Sequence, residues 1–289
     1  MVMDIHARQH VIRLAGRPLL LGIVNVTPDS FSDGGLYFDP KDAVEHAVQL
    51  VEEGADILDI GAESTRPGAV PIEATEELRR LIPVVRVIAK AVAVPISIDT
   101  SKASVAKAAI DEGAVIVNDV TGLRGDPAMV DLIAQTGAGI VLMHMQGTPQ
   151  TMQQAPEYQD VVEDVAAFLS ERAQYAIGRG VGRSQIILDP GIGFGKVLVQ
   201  NLDLLGQLPR FIQLGYPLLI GPSRKSFIGQ LTGRPVEDRA WGTAAAVAIA
   251  VEQGAHILRV HDVEAMRDVV EVAAAITRRK KSSLREQHA

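Results

Sequence analysis

Residues 55–69 read ADILDIGAESTRPGA. The apolar segment at 57–60 has the length of a buried β strand, and the segment after it, with Pro67 and Gly68, is typical of a loop. Asp59 lies close to the end of this strand. An unpaired buried carboxylate is costly or becomes neutral. We therefore expect Asp59 to have a hydrogen-bonding partner, supplied by the protein or by a ligand.

The same order of elements recurs along the chain. Each repeat begins with a glycine that ends a helix, continues with an apolar strand and finishes with a polar residue at the strand end. The repeats lie at 112–120, 136–144 and 253–261. Between these segments the sequence has the periodicity of amphipathic helices. Strands that alternate with helices indicate right-handed βαβ units, because parallel neighbours need a crossover connection.

Eight strands are predicted, and helical periodicity follows each, as at 42–51 and 157–177. The strands are LLGIVN (20–25), DILDIG (56–61), PISIDT (95–100), VIVNDV (115–120), GIVLMH (139–144), IILDPG (186–191), PLLIGPS (217–223) and ILRVHD (257–262). Eight βα units in ~250 residues are typical of an α/β fold of the (β/α)8 TIM-barrel type. Before them, HVIRL and PLLL flank 15–18 and predict an N-terminal β-hairpin that plugs one end of the barrel.

The composition indicates one globular domain spanning 1–289, with a polar, basic tail from about 278 to 289 that we expect to fray. The chain is 47% hydrophobic, contains no cysteine and carries a net charge of −7. These features exclude disulfides and cysteine metal sites and disfavour a general nucleic-acid or membrane surface. We find no signal peptide and no membrane span, so a cytoplasmic enzyme is expected.

Polar side chains are predicted to converge at one end of the barrel. Side chains alternate along a strand, so the parity of Asp59 can be transferred to the other strands. This places a set of mainly polar residues at the inward-facing carboxyl ends: Asn25, Asp59, Asp99, Asn118, Met143, Asp189, Ser223, Arg259 and His261. The acceptors among them suit a flat ligand edge rich in N–H donors, such as an aminopyrimidinone. Asp99 alone is equally well explained as a helix N-cap.

The other half of the predicted pocket is basic. Ser223, Arg224, Lys225 and Ser226 follow the seventh strand, and RVH at 259–261 closes the eighth, where barrels frequently bind phosphate. Surface ion pairs are the alternative, which the apolar surroundings of Arg259 disfavour. Acceptors on one side and cations on the other predict a substrate with a heterocyclic head and a phosphorylated tail.

Two strand-to-helix loops, 26–39 and 62–72, are long and polar, and on this face of a barrel they are predicted to act as lids. Phe31 could instead anchor its loop in the core. The segment GIGFGK at 191–196 has neither Walker nor dinucleotide spacing and indicates close packing against a flat ligand. We interpret Met143 and Met145 as core residues and His144 as a structural histidine.

These motifs together resemble the dihydropteroate synthase family. The matching segments are GIVNVTPDSFSDGG (22–35), DIGAESTRPGA (59–69), ISIDTSK (96–102), VNDVTG (117–122), LMHMQGTP (142–149), LDPGIGFGK (188–196), GPSRKSFIG (221–229) and LRVHDV (258–263). They cover almost the whole chain in the family's order. Ala62 stands where many members have glycine, and Ile192 where an aromatic residue is common.

The resemblance implies a transferase that condenses 6-hydroxymethyl-7,8-dihydropterin pyrophosphate with p-aminobenzoate, with Mg2+ and through a pterin carbocation. By similarity, Asp99, Asn118, Met143, Asp189 and Lys225 bind the pterin; Asn25, Arg66, Arg259 and His261 bind pyrophosphate, with Asn25 as the metal ligand; and Thr65, Pro67, Phe194 and Ser223 bind p-aminobenzoate. Asp99, Lys225, Arg259 and His261 are the expected catalytic residues. A homodimer and binding of sulfonamide inhibitors are also implied.

Two other functions remain open at this point. A methyltetrahydrofolate-binding domain of a corrinoid methyltransferase would share the pterin acceptors, but it has no use for the basic SRKS and RVH segments. A non-catalytic paralogue would bind pterin only. Release of pyrophosphate that depends on Mg2+ distinguishes the synthase from both.

Overall fold

The structure, a computed structural model, describes residues 3–27 and 40–286. It begins with an antiparallel hairpin of β1 (Asp4–Ala7) and β2 (His10–Arg13). The predicted hairpin is therefore present, but its turn lies at Arg8 and Gln9, not at 15–18. The PLLL segment instead begins the first barrel strand, because Leu20 and Leu21 are buried between two parallel neighbours and Leu19 is partly buried. An apolar run that is buried on both faces suits a parallel sheet and not a hairpin edge.

Eight parallel strands form the barrel, as the sequence predicts. They are β3 (Leu19–Asn25), β4 (Ile57–Gly61), β5 (Ile96–Asp99), β6 (Ile116–Asp119), β7 (Gly139–Met143), β8 (Ile186–Asp189), β9 (Leu219–Ile220) and β10 (Ile257–Val260). The pairing order is β8-β7-β6-β5-β4-β3-β10-β9, and a parallel bridge between Leu188 and Leu218 joins the two ends. The strand predicted at 217–223 is thus much shorter than expected.

Helices follow the strands along the chain. They are α1 (Pro40–Glu52), α2 (Ala74–Ala91), α3 (Ala103–Asp111), α4 (Met129–Thr136), α5 (Val161–Gly178), α6 (Leu198–Gly206), α7 (Leu208–Ile212), α8 (Ser226–Thr232), α9 (Ala240–Glu252) and α10 (Val263–Glu286). Helix α5 begins later than the periodicity from 157 predicts, since Asp160 caps it by accepting from the amides of Val162 and Glu163. Helix α10 continues to Glu286, so most of the expected tail is helical. None of the helices in the described ranges is long and apolar enough to cross a membrane.

Two layers of apolar side chains confirm the predicted alternation. Leu58, Ile60 and Leu142 point outward and belong to the core between the strands and the helices. Inward-facing residues of the same sheet, such as Ile57 and Val141, form a second cluster inside the barrel. Hairpin residues Ile5, Ala7 and Ile12 belong to this inner cluster. The hairpin therefore plugs the amino end of the barrel, and the polar inward positions lie at the opposite end.

Candidate active site

An open cleft of about 1160 Å3 lies at the carboxyl ends of the strands. Most of the site residues expected from sequence line it, namely Asn25, Thr65, Arg66, Pro67, Asp99, Phe194, Ser223, Lys225, Arg259 and His261. Asn118, Met143 and Asp189 are not among the lining residues, and each is buried. The structure thus gathers the two predicted halves of the pocket, and it places part of the acceptor half below the cleft surface.

Arg259 ties two aspartates together at the base of the cleft. Its Nε donates to Asp59 Oδ2 at 2.6 Å, and its Nη2 donates to Asp99 Oδ2 at 2.8 Å. Asp59 Oδ2 also accepts from Asn118 Nδ2 at 3.0 Å. The expected partner of Asp59 is therefore the protein itself. Asp59 joins a guanidinium on the cationic side of the pocket to an amide on the acceptor side.

Asp99 does not cap a helix in this structure. The residue before α3 is Lys102, and the backbone amide of Ala103 donates to Asp126 Oδ2 at 2.9 Å. Burial raises the pKa of Asp99 above its ordinary value, Arg259 opposes this rise, and the neighbouring Asp59 adds to it. Asp99 therefore faces the pocket, where it is paired with Arg259, and it does not serve as a helix cap.

Asp189 lies at the end of β8 and is almost fully buried. Its Oδ1 accepts from the backbone amide of Gly191 at 2.7 Å. Burial raises the pKa of Asp189 to about 6, against the opposing effects of that amide and of the cations Lys225 and Lys196. A carboxylate in this position has one oxygen committed to the loop after β8 and one that can accept from a ligand.

Lys225 enters the pocket because the chain turns sharply at Arg224, which has a left-handed φ of 56°. The Arg224 side chain also lines the cleft and pairs there with Asp262. Lys225 Nζ lies 3.9 Å from the centroid of the Phe194 ring, and among the described residues it makes no ion pair within 4.0 Å. Burial and the neighbouring Arg259 lower the pKa of Lys225 to about 8, although Asp189 and Asp99 raise it. The ammonium is therefore placed next to an aromatic face and available to a ligand.

His261 is a neutral imidazole in this site, not a cation. Burial lowers its pKa to about 3, and the charges of Arg259 and Arg224 lower it further. The backbone amide of His261 donates to Ser223 Oγ at 3.2 Å, and this hydroxyl lies 2.9 Å from His261 Nδ1. The hydroxyl donates to Nδ1 in the tautomer with the ring hydrogen on Nε2, and it accepts from Nδ1 in the other tautomer. In both cases Ser223 fixes the orientation of the His261 ring.

The loop at 62–72 is anchored at its root and contacts a second loop. Lys102 Nζ lies 3.0 Å from Glu63 Oε2 and 2.6 Å from the buried Glu77. Glu63 Oε1 accepts from the amide of Ile72, so one side chain fastens both ends of the loop. Gly68 donates its amide to the carbonyl of Pro149 at 3.0 Å. Of the other predicted lid, residues 28–39, including Phe31, lie outside the described residues.

Asn25 lines the cleft at the end of β3. No cluster of three or more histidine, aspartate or glutamate side chains within 3–27 and 40–286 could by itself hold a metal ion. The Asn25 amide oxygen is a hard ligand of the kind Mg2+ accepts, and Mg2+ is commonly held by one or two protein oxygens together with substrate phosphates. The donor set therefore fits a metal that arrives with a phosphorylated substrate.

Sequence reasoning missed two groups near the site. One is the Lys102, Glu63 and Glu77 cluster below the 62–72 loop. The other is Lys196, which is 3% exposed and bonds to the loop that carries Phe194. The position of Lys196 directly after the GIGFG segment could have indicated its role, because the carbonyl groups of a glycine-rich loop need hydrogen-bond donors.

Comparisons with known proteins agree with this geometry. The family described as "Pterin binding enzyme" matches residues 21–261. A dihydropteroate synthase of Synechocystis sp. is 48% identical over 263 residues, covering 91% of each chain. The Yersinia pestis dihydropteroate synthase in a sulfonamide drug complex is 41% identical, with a TM-score of 0.89 over 97% of this chain and 100% of that chain.

Two structures of the Xanthomonas albilineans dihydropteroate synthase are also similar. The one with 4-aminobenzoic acid has a TM-score of 0.89 and is 46% identical, over 96% of this chain and 98% of that chain. The one with 7,8-dihydropteroate has a TM-score of 0.86 and is 44% identical, over 94% and 98% of the two chains. The fold and the site thus define a pterin-binding (β/α)8-barrel enzyme. Within this class, the chain belongs to the dihydropteroate synthase family, whose members are transferases.

Proposed function

We propose that this enzyme condenses 6-hydroxymethyl-7,8-dihydropterin pyrophosphate with p-aminobenzoate to give 7,8-dihydropteroate and pyrophosphate. The observation that carries the proposal is the joining of acceptors and cations in one cleft, with Asp99 hydrogen-bonded to Arg259 and Lys225 close to both Asp99 and Asp189. This arrangement suits a substrate with a donor-rich ring at one end and a polyanion at the other.

The pterin end belongs to the buried acceptors. Asp189 and Asn118 are buried near the carboxyl ends of β8 and β6, and Asp99 at the end of β5 is hydrogen-bonded to Arg259. A carboxylate accepts hydrogen bonds from two adjacent N–H groups, as an aminopyrimidinone edge requires. Met143 belongs to the apolar cluster that Val120, Met145, Met152 and Phe194 complete, and it supplies a flat wall for the ring.

The pyrophosphate end belongs to Arg259, His261, Arg66 and Asn25, all of which line the cleft. Arg259 uses Nε and Nη2 for the aspartates, so its remaining N–H groups are the ones directed to an anion. His261 adds a neutral imidazole, which Ser223 holds in place. Asn25 would hold Mg2+ through its amide oxygen, and the metal would supply charge neutralisation of the leaving pyrophosphate.

We assign p-aminobenzoate to a slot formed by Thr65 and Pro67 of the 62–72 loop together with Phe194 and Ser223, all of which line the cleft. The 4-aminobenzoic acid complex of the Xanthomonas albilineans relative supports this part of the proposal, and the Yersinia pestis complex extends it to sulfonamides. Because sulfonamides resemble p-aminobenzoate in shape and charge, we assign both to the same slot.

The mechanism follows from where charge develops. The bond between the pterin methylene carbon and the pyrophosphate oxygen breaks, and its electron pair leaves with pyrophosphate. A carbocation conjugated to the pterin ring remains, and the carboxylate of Asp99 stabilises it electrostatically. The amine of p-aminobenzoate forms the new C–N bond and then loses a proton to solvent or to the departing pyrophosphate. No covalent bond to the enzyme is needed.

Lys225 and Phe194 lie together on one side of the pocket. A second positive charge on Lys225 next to a carbocation would be unfavourable unless it faced an acceptor, and Asp189 and Asp99 are its acidic neighbours. We therefore assign Lys225 to the pterin edge and to the negative charge of the leaving group, not to the cation itself.

A direct test is the Mg2+-dependent formation of 7,8-dihydropteroate together with an equal amount of pyrophosphate. The purified protein is incubated with both substrates, with and without Mg2+, and both products are quantified. Binding of the pterin without turnover would favour the non-catalytic paralogue. Methyl transfer from methyltetrahydrofolate would favour the corrinoid methyltransferase domain.

Association of two copies belongs to the same proposal. Apolar side chains are exposed on neighbouring helices α9 and α10, among them Ile249, Val272 and Ile276, which are 50%, 61% and 64% exposed. Exposed apolar patches of this kind mark protein interfaces. Sedimentation of the wild-type protein and of Ile276→Glu checks the assignment. The cytoplasmic location and the lack of a nucleic-acid partner remain predictions of the sequence.

A further inference from the structure

The glycine-rich segment after β8, Gly191–Lys196, forms a closed loop against the segment after β7. Three of its glycines have left-handed backbones, with φ of 70° at Gly191, 84° at Gly193 and 61° at Gly195. A β-carbon at Gly191 would lie 2.0 Å from the carbonyl oxygen of His144, and one at Gly195 would lie 2.9 Å from that of Gln146. The loop can approach these carbonyl groups only because side chains are absent.

Lys196 is the group that closes the loop. Its ammonium lies 2.8 Å from the carbonyl oxygen of Phe194, 3.0 Å from that of Gly191 and 3.0 Å from His144 Nδ1. The carbonyl oxygen of His144 is a further neighbour at 3.3 Å. Burial lowers the pKa of Lys196 to about 7. In its charged form the side chain has three N–H donors and no acceptor, so the three shorter contacts satisfy it fully.

His144 is suited to the role of acceptor. Burial, together with the cations Lys196 and Arg124, lowers the pKa of its imidazole to about 2. Its ring packs edge-on against Phe168, with centroids 4.8 Å apart. The neutral ring therefore offers a lone pair at Nδ1 to Lys196 and is held in place by an aromatic neighbour.

The loop presents Phe194 to the active site. The Phe194 ring lines the cleft and lies beneath Lys225 Nζ at 3.9 Å, while its own carbonyl group is bound by Lys196. Tyr158 Oη adds a bond of 2.7 Å to the carbonyl of Gly195. Lys196 itself lines no part of the cleft and is 3% exposed, so it acts on the site only through the loop.

We propose that Lys196 is a positioning residue, whose ammonium holds the Gly191–Lys196 loop closed on His144 and so fixes the Phe194 ring between Lys225 and the p-aminobenzoate slot. Of the residues assigned to the pterin, Asp99 and Asn118 lie on other strands, and Asp189 is held by β8 as its last residue. The pterin side touches this loop through the bond of Asp189 to the Gly191 amide and through the contact of Lys225 with Phe194. Loss of the Lys196 contacts displaces Phe194 and weakens the p-aminobenzoate side of the site more than the pterin side. The expected effects on KM for the two substrates rest on the proposed function.

The first test does not require activity. Protein labelled with 13C at lysine Cε is observed by NMR, and Lys225→Ala identifies the signal of Lys225. In the wild type, the Phe194 ring current shifts the Lys225 Cε protons upfield. Lys196→Met is expected to remove this shift, whereas the matched surface variant Lys107→Met is expected to leave it in place. An unchanged Lys225 signal in folded Lys196→Met overturns the inference.

The second test separates the two substrates. In Lys196→Met, KM for p-aminobenzoate is expected to rise roughly tenfold or more, since displacements of about 1 Å near a reacting group have effects of this size. KM for the pterin pyrophosphate is expected to change less than about threefold. Equal changes for both substrates overturn the inference. If the wild type forms no dihydropteroate, the proposed function fails, and the NMR comparison still decides the role of Lys196.

A variant with a smaller change keeps the inference testable if Lys196→Met does not fold. Tyr158→Phe keeps Lys196 and removes only the bond to Gly195. It is expected to move the Lys225 signal in the same direction by a smaller amount and to raise KM for p-aminobenzoate by about two- to fivefold. If Lys196→Met does not fold and Tyr158→Phe changes neither quantity, the inference is overturned.

Discussion

Arg259 and Asp59 lie 200 residues apart in the chain, and Arg259 Nε donates to Asp59 Oδ2 at 2.6 Å. Asp59 is 0% exposed, so this bond is formed away from water. The acceptor half and the basic half of the site meet at this carboxylate, because the same oxygen also accepts from Asn118. Asp59 is thus a structural centre of the site without lining the cleft.

Replacing Asp59 by asparagine is expected to lower both stability and activity. The variant leaves a buried guanidinium with only Asp99 as its anionic partner, and breaking a buried pair in this way costs about 3 kcal/mol of unfolding free energy. Urea denaturation measures the loss. The control is Asp111→Asn, which breaks an exposed pair with Lys107 and is expected to cost less than about 0.5 kcal/mol. Equal losses in the two variants would show that the Asp59 bridge is not stabilising.

Lys225→Ala and Arg259→Ala are both expected to lose activity, but only Arg259→Ala is expected to lose stability. Each should lower kcat/KM by roughly 100-fold or more, since each removes a cation from the pocket. Lys225 makes no ion pair in the described part of the chain, so its removal should leave the unfolding midpoint nearly unchanged. Removal of Arg259 leaves Asp59 and Asp99 unpaired and should lower it. Near-wild-type kcat/KM in both variants would contradict the site assignment.

Asp189→Asn is expected to weaken pterin binding more than p-aminobenzoate binding. The carboxylate already accepts from the Gly191 amide, and its second oxygen is assigned to the pterin. An amide in its place offers one acceptor oxygen and adds donors that face the donors of the ligand. The quantity that decides is the ratio of the two affinity losses, measured by calorimetry. Equal losses would mean that Asp189 acts only by holding the loop that begins at Gly191.

The pH profile of kcat/KM for the pterin substrate should report the state of Lys225. Burial lowers the pKa of this lysine from 10.5 to about 8, so the ammonium is present below that pH and is lost above it. Because the charged form binds the substrate, kcat/KM is expected to fall by about tenfold per pH unit above pH 8. Lys225→Arg should retain a lower but flat profile in this range, since guanidinium stays protonated. The same alkaline fall in this variant would assign the titration to another group.

The barrel and most of the site could be predicted from sequence because both depend on local patterns. Strand periodicity fixes which side chains face inward, and the inward positions of Asp59, Asp99 and Arg259 follow from it. Their hydrogen bonds could not be predicted, since the atoms come from β4, β5 and β10 and the pairing depends on barrel closure. The hairpin turn was misplaced for a similar reason. Burial of Leu20 and Leu21 between parallel neighbours is a tertiary effect that a local turn signal does not contain.

The charge of His261 is another property that sequence alone could not give. A histidine beside Arg259 at a predicted phosphate site suggests a cation, but burial and two nearby arginines hold the pKa of His261 near 3. His144 was predicted to be a structural residue, because the sequence has no second metal ligand at the spacing of a zinc site. The structure adds the bond to Lys196, which no spacing rule indicates.

The order of substrate binding is expected to be fixed, with p-aminobenzoate binding well only after pyrophosphate and Mg2+ occupy the basic part of the cleft. Arg66 and Pro67 of the 62–72 loop are exposed, and Glu63 at the root and Gly68 make the bonds that tie this loop to other parts of the chain or join its two ends. The backbone of Arg66 bonds to Ser64 and Ala69 of the same loop. An anion that binds Arg66 together with Arg259 and His261 would fix the tip as well. The ordering entropy is then already spent when p-aminobenzoate arrives, which corresponds to a coupling of about 1–3 kcal/mol.

Titration calorimetry measures this coupling directly. The dissociation constant of p-aminobenzoate is determined for the enzyme alone and for the enzyme with Mg2+ and pyrophosphate, and the second value is expected to be about 5- to 100-fold lower. Arg66→Ala is the matched variant, because it removes the cation of the loop tip without touching the anchors at Glu63 and Gly68. It should abolish most of the coupling and leave p-aminobenzoate binding to the enzyme alone nearly unchanged. Equal dissociation constants with and without pyrophosphate in the wild type would mean that the slot is already formed, and the loop at 62–72 would then have no part in the order of binding.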